Sequence, residues 1–544
     1  MTLKFTKTPL FALALAALPF AAPVATGVGV GIGLTLAPAP VQAQAFSALR
    51  QAIAEASSEN ESLAAFYRER DFQPVWTSAE AADRRNALIS ALQEAGNHGL
   101  PTSRYDIDGL IETFRNATNP YARGQADVMA SRLFLQYASD VHSGFLEPGD
   151  IISDFYQELP RPDARELLAD LLDSNPHAFM ASLPPQDPGY TRLMRTKLHL
   201  ERLAQTGGYG PRVQAGALRP GDSGGAVIAL RDRLMAMGYL DRSVTATYDA
   251  RMQQAVVEFQ LDNGINADGV AGGETIRAVN RSVEDHWNEV VLAMERHRWL
   301  NEGGEVPDRL IFVNLTDFHV RVIDNGETTF ITRSVVGARD RQTPEFSDVM
   351  EHMVINPSWY VPRSIAMRSY IPNILAGGST YMQLIANGRV VNRNAVDMSR
   401  YSVSSFPFDL RQPPGPRNAL GTVKFMFPNR HAIYLHDTPE QYLMEREVRT
   451  FSSGCIRLDD PHEFAYHLLA RQTDDPVGLF QRILRTGQET QVNLDVEIPV
   501  HLVYWTAWVD DDGTLNFRDD VYGRNARLSQ AVRANGVVMP ERAS

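Results

Sequence analysis

Phe451-Ser452-Ser453-Gly454-Cys455-Ile456-Arg457-Leu458, followed by Asp459-Asp460-Pro461, decides how the second half of the chain is read. An Asp-Pro step opens a helix, so Cys455 falls on a strand or turn just before one. Gly454 lets the backbone bend sharply beside it. Upstream, Val423-Lys424-Phe425-Met426-Phe427 and the run Ala432 to His436 read as a hairpin across Pro428-Asn429-Arg430. The period-two pattern starts near residue 308: Phe318, Val320 and Val322 alternate with polar neighbours and meet the turn Asp324-Asn325-Gly326. It continues through Val492–Trp508, with Asp510-Asp511-Asp512-Gly513 as a turn. Residues 305–520 are therefore predicted as a mainly β unit. The segment 357–415, rich in Pro, Gly and aromatics, is too long for a plain connection and reads as a lid insertion or a disordered loop.

The first part of the chain follows a different period. Residues 46–210 are predicted helical, with Leu88, Leu92 and Ala95 at i, i+4 and i+7 and similar patterns over Ala130–Val141 and Tyr190–Ala204. Pro and Gly cluster at 206–224 as a linker. Residues 218–283 then form a small three-helix unit. Asp222 or Ser223 is expected to cap its first helix, Asp249 its second, and Asp268-Gly269 to turn into its third. The spacing of Asp262, Asn266 and Asp268 lacks the ligand order of a calcium loop, so a turn is the reading there. The fold class is multidomain α+β, with residues 521–544 as a tail.

Composition bounds function. At 544 residues, 44% hydrophobic and 22% charged, the chain is ordinary globular material for several domains. A net charge of −13 argues against a nucleic-acid binder. Lys4 and Lys7, an apolar run and Ala43-Gln44-Ala45 have the layout of an export signal over residues 1–45; uncleaved, the same segment would act as a membrane anchor. The chain has one cysteine, which excludes an intrachain disulfide and a cysteine-based zinc cluster. No metal and no cofactor is expected. In an exported protein a lone thiol is a liability unless it reacts usefully.

The surroundings of Cys455 point to reaction. A nucleophilic cysteine works as a thiolate, and Arg457 supplies positive potential nearby. Gly454 permits a turn that exposes the sulfur and aims main-chain amides at a developing oxyanion. His436, at the end of its predicted strand, is the candidate general acid/base. His431, five residues earlier, would face the opposite side of that strand. His462 and His467, at i and i+5, read as structural.

His436, the gap that follows it and Ser452-Ser453-Gly454-Cys455-Ile456-Arg457 resemble the L,D-transpeptidase (YkuD-type) catalytic domain. Supporting pieces are Val336-Gly337, Arg341-Gln342-Thr343-Pro344, Asn356-Pro357-Ser358-Trp359-Tyr360-Val361-Pro362, Pro414 to Gly421 and Tyr434 to Pro439. They are similar to the large Gram-negative periplasmic branch; Ser453 stands where many relatives have histidine. Residues 218–283 resemble the three-helix peptidoglycan-binding domain, and 46–210 more loosely the scaffold domain of the same enzymes.

The resemblance implies a periplasmic enzyme acting on peptidoglycan tetrapeptide stems. Cys455 would attack the diaminopimelate carbonyl, His436 would shuttle protons, and Gly454 would contribute an oxyanion amide. Arg457, Ser453, Asn418, Trp359 and Tyr360 would contact substrate. A neighbouring amine would then resolve the thioester into a 3→3 cross-link. Carbapenem β-lactams are the implied covalent inhibitors and other cell-wall synthesis enzymes the implied protein partners. Three alternatives stay open: a thiol endo- or carboxypeptidase, a transferase joining an outer-membrane protein to the wall, and a non-catalytic wall-binding scaffold.

Overall fold

Asx-Pro pairs punctuate the helical half. Asn119-Pro120, Asn175-Pro176 and Asp187-Pro188 open the helices Pro120–Ser143, Pro176–Ser182 and Pro188–Gln205, and each Asx side chain accepts an amide from the first turn. The computed structural model describes residues 41–301 and 307–540. Most of the predicted export signal, residues 1–40, lies outside the described residues.

Buried Asp127 ties the scaffold together. It accepts the Tyr67 hydroxyl at 2.7 Å, the amides of Val75, Trp76 and Thr77 at 2.8–2.9 Å, and the Thr77 hydroxyl at 2.9 Å. The aromatic stretch around Trp76 is thereby locked onto the Pro120–Ser143 helix. The helix Val283–Arg298 joins the same apolar core.

The small unit has three helices, Gly225–Ala236, Ala250–Asp262 and Gly273–Val279, around Leu230, Val256 and Phe259. Asp249 caps the second as expected, accepting the Met252 amide at 3.0 Å. The first differs: its N-cap is Gly224 at φ 116°, and the Asp222 carboxylate accepts the Arg219 amide instead. At the turn, Gln260 holds the Asp268 carboxylate and the Gly269 amide.

The β unit is built on β1 (Arg309–Asn314), β2 (His319–Asp324), β3 (Glu327–Gly337) and β4 (Phe346–Ile355). The insertion follows as β5 (Trp359–Val361), β6 (Gln383–Ala386), β7 (Arg389–Val391) and β8 (Asp409–Gln412). Then come β9 (Val423–Met426), β10 (Leu435–His436), β11 (Thr450–Ser452), β12 (Ile456–Leu458) and β13 (Thr490–Val503). A nine-stranded sheet runs β11-β3-β12-β10-β9-β4-β13-β1-β2, and pairing of β2 with β3 closes it into a barrel. Closure leaves no unpaired edge within the ring. Most pairs are antiparallel, whereas β1–β13, β10–β12 and β3–β11 are parallel.

Three expectations change. The insertion is neither a simple lid nor disordered: it is a four-stranded sheet, β5-β8-β6-β7, with its own core around Ile371, Leu384, Phe406 and Leu410. The second hairpin returns through a two-residue strand, so His431 sits in the turn, stacked on Tyr156 at 4.2 Å. The β unit also ends earlier than residue 520. Strands β14 (Ala507–Val509) and β15 (Leu515–Phe517) form a separate pair and pack, with the helix Arg524–Ala534, into the scaffold core. Leu528 and Val532 are fully buried there; an amphipathic stretch read as a tail had an apolar face to hide.

Candidate active site

Alternation along two short strands builds the site. β10 and β12 run parallel in the register Leu435↔Ile456 and His436↔Arg457, and the Ile456 amide donates to the Tyr434 carbonyl at 3.1 Å. Leu435, Ile456 and Leu458 are fully buried in the barrel core. Side chains on neighbouring positions take the other face, which brings Tyr434, His436, Cys455 and Arg457 together. His436 and Cys455 are thus diagonal neighbours across one strand pair.

The turn that presents Cys455 is held at every peptide. Gly454 adopts φ 117°, a conformation that favours glycine. Its carbonyl accepts the Thr343 hydroxyl at 2.7 Å, and its amide donates to the Ser452 hydroxyl oxygen at 3.1 Å. That second bond departs from the expectation for Gly454: its amide is occupied, which leaves the neighbouring Cys455 amide as the candidate oxyanion donor. Thr343 belongs to the loop after β3. Its hydroxyl oxygen accepts the Gly337 amide at 2.9 Å, and Gly337 is required because a Cβ there would lie 2.3 Å from the Arg341 carbonyl.

Residues from beyond the barrel brace this loop. The Tyr522 hydroxyl donates to the Gly337 carbonyl at 2.6 Å. The fully buried Arg524 donates to the Thr343 carbonyl at 2.9 Å and pairs with Glu345 at 2.6 Å.

The protonation states follow from burial. The His436 Nδ1 lies 2.6 Å from the Asp437 carbonyl oxygen. A carbonyl only accepts, so Nδ1 carries the proton and Nε2 is left as the basic nitrogen. Burial, reinforced by Arg457, pushes the imidazole down to about 3. Burial pushes the Cys455 thiol up to about 11, against the opposing pull of Tyr434 and Arg457. Both shifts favour a neutral thiol beside a neutral imidazole over the expected resting thiolate, because desolvation outweighs the pull of Arg457.

The sulfur's own contacts run to Tyr434 and to the Ala432 carbonyl, 3.5 Å away. Tyr434 lies beside the sulfur and packs against the insertion's own core, to which Trp359 on β5 belongs. Tyr434 thus ties the insertion to the site. No hydrogen bond joins Cys455 to His436 among the described residues; such contacts often tighten only when substrate binds.

The expected substrate contacts separate. Arg457 is half-buried and pairs with Glu440, while its Nε has no partner. Ser453 is exposed and accepts from Arg341 at 3.2 Å. Tyr360 is 62% exposed, under the Arg411 guanidinium; next to Trp359 on one strand, it faces away from the site. Asn418 is corrected outright. It is buried, and its amide group serves the Pro357 and Pro413 carbonyls and the Leu420 amide at 2.7–3.0 Å. It shapes the loop and has nothing left for a ligand. Of the other histidines, His462 meets the Thr422 hydroxyl at 2.7 Å and His467 lies 3.5 Å from Asp324.

Sequence reasoning missed Tyr434 and Thr343. Tyr434 was findable, since it stands two positions before His436 and must share its face. Thr343 stood inside the Arg341-Gln342-Thr343-Pro344 motif, but nothing local to that loop tells that it packs under the Cys455 turn.

The site lies within a region that resembles known proteins. Residues 308–486 match the model of the L,D-transpeptidase catalytic domain, YkuD. Residues 61–196 match the scaffold domain and 223–279 the "Putative peptidoglycan binding domain". The chain therefore carries an L,D-transpeptidase catalytic domain beside a peptidoglycan-binding domain and a scaffold domain. A protein of Haemophilus influenzae named "Putative L,D-transpeptidase" is 30% identical over 226 residues, 41% of this chain. The match spans 45% of that relative's length, about half. Solved L,D-transpeptidase structures from Stackebrandtia nassauensis and Xylanimonas cellulosilytica are 14% and 13% identical. Each covers 54% of this chain, with 97% and 98% of its own chain matched and TM-scores of 0.22 and 0.17.

Proposed function

We propose that this protein is an exported, periplasmic peptidoglycan L,D-transpeptidase that forms 3→3 cross-links through a Cys455 thioester. The observation that supports it is the shared face of Cys455, His436 and Arg457 inside the region matched to the catalytic domain.

In the first half-reaction Cys455 Sγ attacks the diaminopimelate carbonyl of a tetrapeptide stem as its proton passes to His436 Nε2. A neutral thiol and a neutral base suit this concerted transfer. The Cys455 amide stabilises the oxyanion, and collapse expels terminal D-alanine, whose amine takes the proton from His436. In the second half-reaction a side-chain amine of a neighbouring stem attacks the thioester. Its proton passes to His436 and on to the departing sulfur, which restores the thiol. Arg457 would meet a substrate carboxylate. The folded insertion, in contact with Tyr434, would keep water from the thioester while an amine enters.

The test incubates purified disaccharide-tetrapeptide with the wild type and with Cys455→Ala. The wild type yields cross-linked dimer and takes up one carbapenem by intact mass, and the variant does neither. A variant that still makes dimer overturns the proposal, and a wild type that yields only shortened monomer replaces it with the hydrolase reading.

A further inference from the structure

A second concave site lies away from Cys455. The scaffold helix Pro188–Gln205 carries Arg195, His199 and Arg202 at i, i+4 and i+7, one stripe on one face. That stripe borders a cavity of about 870 Å³. On the other wall the helix Ala250–Asp262 of the small unit contributes Glu258 and Asp262, themselves i and i+4. The tip of the β14–β15 hairpin closes a third side, and Leu203, Tyr239 and Leu515 add apolar lining.

The two stripes have opposite charge and do not meet. Elsewhere on the same scaffold helix, Lys197 pairs with Glu201 at 2.7 Å and Arg192 with Asp511 at 3.0 Å. Among the described residues no ion pair links Arg195, His199 or Arg202 to Glu258 or Asp262. Arg195, His199, Arg202 and Glu258 are exposed, and Asp262 is half-buried beside Tyr239; charges held apart across water gain little from one another. A ligand with carboxylates at one end and an amine at the other would satisfy both walls at once. The volume falls in the range of about 300–1,000 Å³ typical of ligand pockets, which favour junctions between structural units.

We propose that this cleft is a second binding site for an uncross-linked peptidoglycan stem. Its carboxylates lie against Arg195 and Arg202, and its diaminopimelate amine against Glu258 and Asp262. The ligand class rests on the proposed transpeptidase reading. The site itself belongs jointly to the scaffold, the small unit and the C-terminal hairpin, not to the small unit alone. Its role is to hold a wall strand beside the barrel while the nucleophile works on another stem.

The test uses the full chain and soluble disaccharide-tetrapeptide, read by hydrogen–deuterium exchange. The ligand is expected to slow exchange over residues 195–203, 236–240 and 258–263 in both the wild type and Cys455→Ala. The double variant Arg195→Glu/Arg202→Glu, whose two positions are solvent-exposed, should keep its melting temperature and lose that protection. Acetylating the diaminopimelate amine should weaken binding at the cleft at least tenfold. Protection confined to the barrel, no protection, or protection that survives charge reversal overturns the inference. The same muropeptide in a dimer-forming assay separates the two failures: dimer without a cleft footprint sinks this site alone, whereas absence of dimer sinks the transpeptidase reading.

Discussion

Replacing Thr343 by Val tests whether the nucleophile turn is held from outside its own strand. The two side chains have nearly the same shape, so the change removes a hydroxyl and little volume. Two main-chain groups lose their partner: the Gly454 carbonyl, now bonded at 2.7 Å, and the Gly337 amide, at 2.9 Å. A buried polar group left unpaired costs roughly 1–3 kcal/mol, so the pair sets a stability loss of about 2–6 kcal/mol. The functional loss has a separate origin. Without the hydroxyl the Gly454 peptide can rotate, and the neighbouring Cys455 amide no longer points at one place. Losing an oxyanion donor outright costs about 10²–10³ in rate, and a loosened one should cost about 10–100-fold. The assay is the rate of Cys455 acylation by a carbapenem, followed by intact mass, beside urea unfolding of the same samples. Thr343→Ser keeps the hydroxyl and should restore the acylation rate even where stability stays low. A valine variant that acylates at the wild-type rate, or a serine variant no better than valine, refutes the reasoning.

Other outcomes follow from the same geometry. His436 is held near 3 in the fold against an ordinary 6.5, so its unfolded form takes up a proton that the folded form refuses. It therefore withdraws stability as pH falls from about 6.5 toward 3, and His436→Gln should flatten that acid limb in urea titrations at pH 7 and pH 5. Cys455, raised to about 11 from an ordinary 9.0, has the opposite sign and withdraws stability as pH rises through that window. Acylation should accordingly change little between pH 6 and pH 8, and a steep rise with the thiolate fraction of a free cysteine would contradict the neutral pair. Asn418→Ala should lower the unfolding free energy by about 1–3 kcal/mol and leave KM for the stem unchanged; a raised KM at unchanged stability would return Asn418 to the substrate. Arg457→Met should raise KM for a donor bearing a free carboxylate about tenfold or more, and equal loss with an amidated donor would assign Arg457 to the sulfur and imidazole alone.

Legibility of the fold followed the range of the forces involved. Strands with several alternating residues and an Asn-Gly turn, such as Phe318 to Gly326, could be read from the sequence because their pattern is local. β10 has two residues, too few to show a period, and this is why His431 was placed on a strand that it only precedes. Asx-Pro pairs at 119, 175 and 187 marked helix starts that an apolar-periodicity reading overlooks. Cys455 and His436 stood out as a pair, but their charge state did not: burial decides it, and burial belongs to the assembled barrel. Asn418 illustrates the limit of polar residues as site markers, since a buried amide is as readily spent on the protein's own carbonyls. The placement of Leu528 and Val532 depends on contacts with helices hundreds of positions earlier and has no local signature.

The bracing of the Gly337–Thr343 loop by Tyr522 and Arg524 has a temporal meaning. A growing polypeptide emerges with Cys455 well before those two residues, so the barrel strands can pair while the turn beneath the sulfur still lacks its outer support. Only when the later segment has threaded back between the barrel and the helices does the last restraint close. A chain cut short before Tyr522 would carry Cys455 on a turn without that outer support.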